Sequence, residues 1–196
     1  MNLSYILTAL EEFGQSNDSI ESERSKKYLN ITKDTGEFLS VLVKSTASQK
    51  ILEVGTSNGY STIWLASSLP ENGVVTTIEC SLKKFNEAKI NFEKANLANK
   101  IQQIHGEAKT SLTKLIGQFD IIFLDADRSS YMSMIVEIEK LLKPGGLIVT
   151  DNAISHENEL FEFMEYFKSK AGYSCCLVPV GKGEFLAYKS AEVKNA

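Results

Sequence analysis

Lys50-Ile51-Leu52-Glu53-Val54-Gly55-Thr56-Ser57-Asn58-Gly59-Tyr60-Ser61-Thr62 decides the fold. Ile51 to Val54 reads as a buried parallel strand, an apolar run interrupted only by Glu53. Gly55 and Gly59 bracket a tight turn, and Ser61 to Leu69 reads as a helix. A strand that turns through glycines into a helix N-terminus makes a cradle for a nucleotide. The glycines let the backbone approach a ligand, and the free N–H groups of the first helical turn face it. The dinucleotide fingerprint G-x-G-x-x-G is absent, because only Gly55 and Gly59 stand here.

Upstream, residues 1–47 contain no strand pattern. Leu3, Ile6, Leu7 and Leu10 recur at helical spacing, and Met1 to Leu10 lacks the basic flank and cleavage site of a signal peptide. Gln15 to Lys27 is polar and is expected to be a mobile flap. Ile31 to Ser45 carries Phe38, Leu39, Leu42 and Val43 on one face, with Thr32 and Asp34 as caps. This part reads as a helical lead-in that could cover a ligand, not as a second domain.

Downstream, strand and helix alternate with short joins. Val74–Glu79 leads to a polar helix from Leu82 to about Ala98, and Ile101–His105 to a short helix around Leu112–Ile116. Phe119–Leu124 precedes a helix that Lys143-Pro144-Gly145-Gly146 stops, and Leu147–Thr150 is the fifth strand. A helix bearing Leu160, Phe163, Met164 and Phe167 follows, and Trp64, back in the first helix after the opening strand, is expected to pack helix against sheet. Tyr173–Val180 and Glu184–Lys189, joined by Gly181-Lys182-Gly183, close the chain as an antiparallel hairpin. The pattern predicts one α/β domain over 1–196, with a Rossmann-like core from 48 to 190 and helices on both faces of a mostly parallel sheet.

The bulk properties exclude several classes. The chain has 196 residues, 43% hydrophobic and 23% charged, which suits a single core. A formal net charge of -4 argues against a general affinity for nucleic acid or anionic membrane. No apolar run approaches the roughly 18 to 20 residues of a membrane span. Cys80, Cys175 and Cys176 cannot all pair and lack zinc spacing, so they are expected to be buried thiols of a cytoplasmic protein.

Ligands of open α/β sheets lie beyond the C-terminal strand ends, near the switch in strand order. Glu79, followed by Cys80, ends the second strand, where a carboxylate can accept both hydroxyls of a ribose. It could equally serve the N-terminus of the next helix. The third strand runs into His105-Gly106-Glu107-Ala108, the fourth into Leu124-Asp125-Ala126-Asp127-Arg128, and the fifth into Thr150-Asp151-Asn152.

The glycine spacing after the first strand resembles the first motif of class I S-adenosylmethionine-dependent methyltransferases. Gly-Tyr-Ser, Leu-Asp-Ala-Asp and the later Asp-Asn together resemble the caffeoyl-CoA and catechol O-methyltransferase family, from about residue 34 to 190. The resemblance implies a seven-stranded sheet of order 3-2-1-4-5-7-6 with the seventh strand antiparallel. It implies the cofactor S-adenosylmethionine, met by Glu53, Gly55, Thr56, Ser57, Gly59, Tyr60, Ser61, Glu79 and Cys80. Gly106, Glu107 and Ala108 would lie at the adenine, and Tyr60 and Ser61 at the methionine end with Asp125.

It also implies a divalent ion on Asp125, Asp151 and Asn152. Three oxygen ligands without His or Cys suit a hard ion such as Mg²⁺, Mn²⁺ or Ca²⁺. The plainer alternative has Asp125 capping the next helix or binding the cofactor's amino group, and Asp151-Asn152 forming a turn. The family often has a lysine three residues after the first metal aspartate, proposed as a general base; Arg128 stands there. Arginine keeps its proton in proteins, so it could orient or neutralise a substrate. His156, on the same rim, could act as a base. Only Ala153 to Glu157 separate Asp151-Asn152 from the next helix, which argues against a large acyl-CoA substrate. The expected enzyme is an O-methyltransferase acting on a small, catechol-like hydroxylated acceptor, as a homodimer. The alternatives are a hydroxylated tRNA nucleoside as acceptor, or a cofactor-binding protein without metal-dependent catalysis.

Overall fold

A computed structural model describes residues 2–191. Five parallel strands come first: β1 (Lys50–Val54), β2 (Val74–Glu79), β3 (Ile101–His105), β4 (Phe119–Leu124) and β5 (Leu142–Thr150). The hairpin β6 (Tyr173–Val178) and β7 (Glu184–Lys189) follows. They form one sheet of order β3-β2-β1-β4-β5-β7-β6, in which β7 runs antiparallel to both neighbours. The order reverses between β1 and β4, so a crevice opens where their C-terminal ends diverge.

Alternation along the strands divides the core. Ile51, Ile121 and Phe123 point to one face, covered by α1 (Leu3–Ile20), α2 (Lys33–Ser45), α3 (Tyr60–Ser68) and α4 (Leu82–Lys94). Leu52, Ile122 and Leu124 point to the other, under α5 (Ala108–Leu112), α6 (Ile135–Leu141) and α7 (Glu157–Ser169). Both faces are buried, which explains why the central strands read as continuous apolar runs.

Several local expectations are corrected. Gln15 to Ile20 is not a flap but the last part of α1, whose buried stripe continues through Gly14. Residues 21–32 then run mostly extended as a strap, with one 3-10 turn at Arg24–Lys26. The Asp18 carboxylate fixes the strap by accepting from the N–H groups of Tyr28 (2.8 Å) and Leu29 (2.7 Å). α4 stops at Lys94 because Asn96 adopts φ 56°, the left-handed conformation that ends helices. α5 begins at Ala108, four residues early, and Ile116 is left exposed. Lys143–Gly146 lie inside β5, where a register shift against β4 absorbs them. Trp64 packs on Gly36 of α2, leaving no room for a Cβ there, at the margin of the core between α3 and the sheet. All three cysteines are free: Cys176 is exposed and Cys175 only half-buried, because β6 is an edge strand, and Cys80 is exposed just past the end of β2. Among the described residues, no helix is long and apolar enough to cross a membrane.

Candidate active site

The β1–α3 loop is built by its glycines. Gly55 sits at φ 104° against the backbone carbonyl of Asp125, and Gly59 at φ 88° against the ring of Phe92. A side chain at either position meets both a strained backbone and an occupied space. The loop is tied to β2: the N–H groups of Gly55 and Thr56 donate to Ile78 O (3.0 and 3.3 Å). Ser57 N–H donates to Glu79 Oε2 (2.8 Å), and Ser81 N–H to Glu79 Oε1 (2.8 Å). Glu79 is thus oriented by two backbone amides at the crevice edge, with carboxylate lone pairs left for a ligand. Cys80 Sγ lies 3.7 Å from Glu79 Oε1.

Glu53 is fully buried and serves the start of α3. Its Oε1 accepts from Ser61 Oγ (2.6 Å), and its Oε2 from Thr77 Oγ1 (2.6 Å) and Thr62 Oγ1. Burial pushes its carboxyl up to about 7, against the pull of those three hydroxyls. The folded chain therefore holds a proton that the unfolded chain releases near 4.5. Stability from this group is full below that value and lost as the pH rises through about 7, on the order of 3 kcal/mol in all. Thermal midpoints should fall across that window, and Glu53→Gln should flatten the fall; parallel profiles would reject the assignment.

Tyr60 donates its N–H to Asn58 Oδ1 (3.2 Å), but its ring is buried against Trp64 in the core with α1. His105 is engaged structurally, with Nε2 3.1 Å from Cys80 O and its ring beside Phe85. Gly106 N–H donates to Glu79 O (2.9 Å), Glu107 is exposed, and Ala108 opens α5, so this segment lines the far side of Glu79.

One strand over, the ladder brings the acids together. Asp125 N–H donates to Val54 O (3.0 Å) and Asp151 N–H to Leu124 O (3.1 Å), placing both at adjacent strand ends. Asn152 takes φ 68° and donates its side-chain amide to Asp151 Oδ2. Burial, then the charge of Asp151, raise the Asp125 carboxyl well above the usual carboxylate range.

Glu184 joins them unannounced by any motif. The β5–β7 register pairs Thr150 with Phe185, so Glu184 falls beside Asp151. It is completely buried; Thr35 Oγ1 donates to its Oε1 (3.2 Å), and its Oε2 has no partner. Burial and Asp151 push it up to about 11. The detectable signal was an acid opening a strand whose antiparallel pairing aligns it with Asp-Asn.

Among the described residues, no basic side chain forms an ion pair with Asp125, Asp151 or Glu184. No three His, Cys, Asp or Glu side chains among the described residues close up into a ready metal-binding group. The donors that could meet an ion are hard oxygens from Asp125, Asp151 and Asn152, and the two carboxyl groups, without a basic partner among the described residues, suit a divalent cation completed by water.

Arg128 opens a 3-10 run after β4 and is buried, with Nε donating to Glu159 Oε2 (2.8 Å). His156 precedes α7, with Nδ1 2.8 Å from Ser155 Oγ. The strap crosses above the strand ends. Ser57 Oγ donates to Tyr28 O (2.7 Å), Lys84 Nζ to Lys27 O (2.6 Å), and Gly181 N–H to Asp34 Oδ2 (3.0 Å).

The sequence profile of the O-methyltransferase family matches residues 9–190. The chain is 37% identical over 137 residues to a catechol O-methyltransferase of Niastella koreensis, covering 68% of this chain and 62% of that one. It spans less than two thirds of the length of the curated relatives it matches. The crystal structure of an O-methyltransferase from Bacillus cereus in complex with SAH superposes with a TM-score of 0.80 at 27% identity, covering 95% of this chain and 91% of that one. That of an O-methyltransferase of tomaymycin synthesis from Streptomyces achromogenes, in complex with SAM, gives 0.79 at 26% identity, covering 96% and 89%.

Proposed function

The chain belongs to the O-methyltransferase family, and from that membership we infer that it moves a methyl group from S-adenosylmethionine to a hydroxyl of a small, catechol-like acceptor, aided by a divalent ion. The observation that carries this reading is the meeting of two half-sites at one reversal of strand order. The Gly55–Gly59 loop with Glu79 forms one, and the oxygen trio Asp125, Asp151 and Asn152 forms the other.

In this reading Glu79 takes the ribose hydroxyls, and the α3 N-terminus lies under the amino-acid end of the cofactor. Glu107, exposed at the opening of α5, is free to meet the adenine. Asp125, Asp151 and Asn152 hold the ion. When bound, the cofactor supplies an electrophilic methyl on a sulfonium, and the ion lowers the energy of the deprotonated hydroxyl. Arg128 orients the acceptor and steadies its negative charge, while the imidazole of His156 is the side chain on this rim that can take a proton. The strap limits water at the strand ends. The same reading has the chain working as a cytoplasmic homodimer, which sedimentation velocity would check.

The test is calorimetry with S-adenosylhomocysteine and with NAD, followed by labelled methyl transfer to catechols, phenols and hydroxylated nucleosides with Mg²⁺ or EDTA. Uptake of S-adenosylhomocysteine and EDTA-sensitive transfer to catechols are expected. Tight NAD binding alone would overturn the reading, and transfer confined to nucleosides would reassign the acceptor. Glu79→Ala should weaken S-adenosylhomocysteine binding about ten- to a hundredfold, the worth of a charge-assisted hydrogen bond to a ligand. Unchanged affinity in that variant would remove the ribose from Glu79.

A further inference from the structure

The helices α1, α2 and α3 leave a cavity of about 260 Å³ between their N-terminal halves. Leu3, Leu7 and Glu11 line it from α1, Lys33 from the first position of α2, and Tyr60 and Trp64 from α3. Tyr60 and Trp64 stand at i and i+4, so they share one face of α3. Ser61 and Thr62 turn away from the cavity, to Glu53 of β1. Neither Glu79 nor any of Asp125, Asp151 and Asn152 lines it, so it is separate from the site described above.

The floor of the cavity carries polar groups that the fold leaves unanswered. Tyr60 is 1% exposed, and its hydroxyl has no hydrogen-bond partner among the described residues. The indole N–H of Trp64 lacks one as well, along the bare Cα of Gly36. A polar group buried without a partner costs about 1–3 kcal/mol, a cost that phenylalanine in place of Tyr60 would avoid. The rest of the wall is apolar and aromatic: Leu3, Leu7 and the two rings, set edge to face at 85° with centroids 6.4 Å apart. The two charged side chains, Glu11 and Lys33, are of opposite sign, and Lys33 already has Glu37 at 3.6 Å.

We propose that this cavity is a second ligand site, for a neutral one-ring aromatic molecule whose oxygen pairs with the Tyr60 hydroxyl. Each part of that description has a cause. The volume falls below the roughly 300 Å³ at which pockets for drug-sized ligands begin, which limits the occupant to about one ring. Leucine side chains and ring edges favour a flat apolar body. The opposed charges of Glu11 and Lys33 give no preference to a net anion or cation. The Tyr60 hydroxyl, able to donate and to accept, asks for one polar atom at the buried end. A phenol is the simplest molecule that meets all four. The proposal stands on the cavity alone and is independent of the methyltransferase reading.

The test is ¹H–¹⁵N spectroscopy on the full chain, titrated with phenol, benzene and benzoate. Trp64 is the single tryptophan of the chain, so one indole cross-peak reports on the cavity wall. Phenol should move that peak saturably and bind about tenfold more tightly than benzene, the worth of one neutral hydrogen bond. Tyr60→Phe should erase that ratio, which is taken on one preparation so that partial loss of folded protein cancels. Thr8→Phe, at an exposed position on the cavity rim, should fill the space and abolish binding with Tyr60 intact. A peak that phenol does not move would leave the cavity to water and overturn the proposal. Equal binding of phenol and benzene, a preference that survives Tyr60→Phe, or tighter binding of benzoate would overturn it too. So would loss of the phenol response in Asp151→Asn, which would place the ring at the acceptor site instead.

Discussion

Asp151→Asn is expected to lower kcat/KM for methyl transfer by about a hundred- to a thousandfold while raising the thermal midpoint of the metal-free chain. The two effects have one cause. Asp125, Asp151 and Glu184 are packed at adjacent strand ends, with the Glu184 Oε2 left without a partner and no ion pair to relieve them among the described residues. Removing one negative charge eases that crowding, so the empty fold gains stability. It also removes a hard oxygen anion from the trio proposed to hold the divalent ion, and losing such electrostatic stabilisation at a reacting oxygen costs several kcal/mol of barrier. Initial rates with labelled cofactor at fixed Mg²⁺, Mn²⁺ binding followed by electron paramagnetic resonance, and a thermal melt of the same protein read all three consequences. Full activity with unchanged Mn²⁺ binding would withdraw the metal from this site.

Gly55→Ala should abolish S-adenosylhomocysteine binding and lower the thermal midpoint of the whole chain. At φ 104° an alanine is strained by about 1–2 kcal/mol before any contact is counted. Its Cβ would also fall on the backbone carbonyl of Asp125, which cannot swing aside because Asp125 N–H is bonded to Val54 O (3.0 Å). Overpacking against rigid backbone adds a further 1–3 kcal/mol or more. The strain enters both half-sites at once, since Gly55 opens the cofactor loop and Asp125 opens the ion site. Gly117→Ala is a suitable control for glycine loss: it too has a positive φ, 100°, but a Cβ there meets nothing within 4 Å. Equal effects at the two positions would refute the role given to the close approach.

Much of this was legible beforehand because the decisive signals are local. Glycines at Gly55 and Gly59, apolar runs bounded by turns, and acids at strand ends all announce themselves within a few residues. The seven-stranded order and its antiparallel last strand followed from the terminal hairpin together with a family resemblance. Glu184 was hidden because its position depends on the pairing of β7 with β5, which joins residues far apart in the chain. The helicity of Gln15–Ile20 was hidden because a polar composition looks like a loop until Gly14 is seen to pack on Asn30 and Asp18 to anchor the strap. Lys143-Pro144-Gly145-Gly146 carries turn chemistry, yet it lies within β5, because a bulge accommodates residues that a regular ladder would reject. The exposure of Cys176 depends on which edge of the sheet stays uncovered, which no local pattern records.

The strap has a kinetic consequence. It is fastened through Tyr28 O to Ser57 and through Lys27 O to Lys84, and it leads into α2, whose Asp34 and Thr35 are tied to Gly181 and Glu184. In the proposed reading the methyl donor lies beside Glu79, next to the Ser57 loop that the strap holds through Tyr28. Reactants should then add in compulsory order, the methyl donor first and the acceptor second. The demethylated donor would leave last, after the fastenings have opened. Product inhibition by S-adenosylhomocysteine should be competitive against the donor alone, and steady-state turnover should follow the rate at which a short stretch of chain lets go, not the rate of bond making.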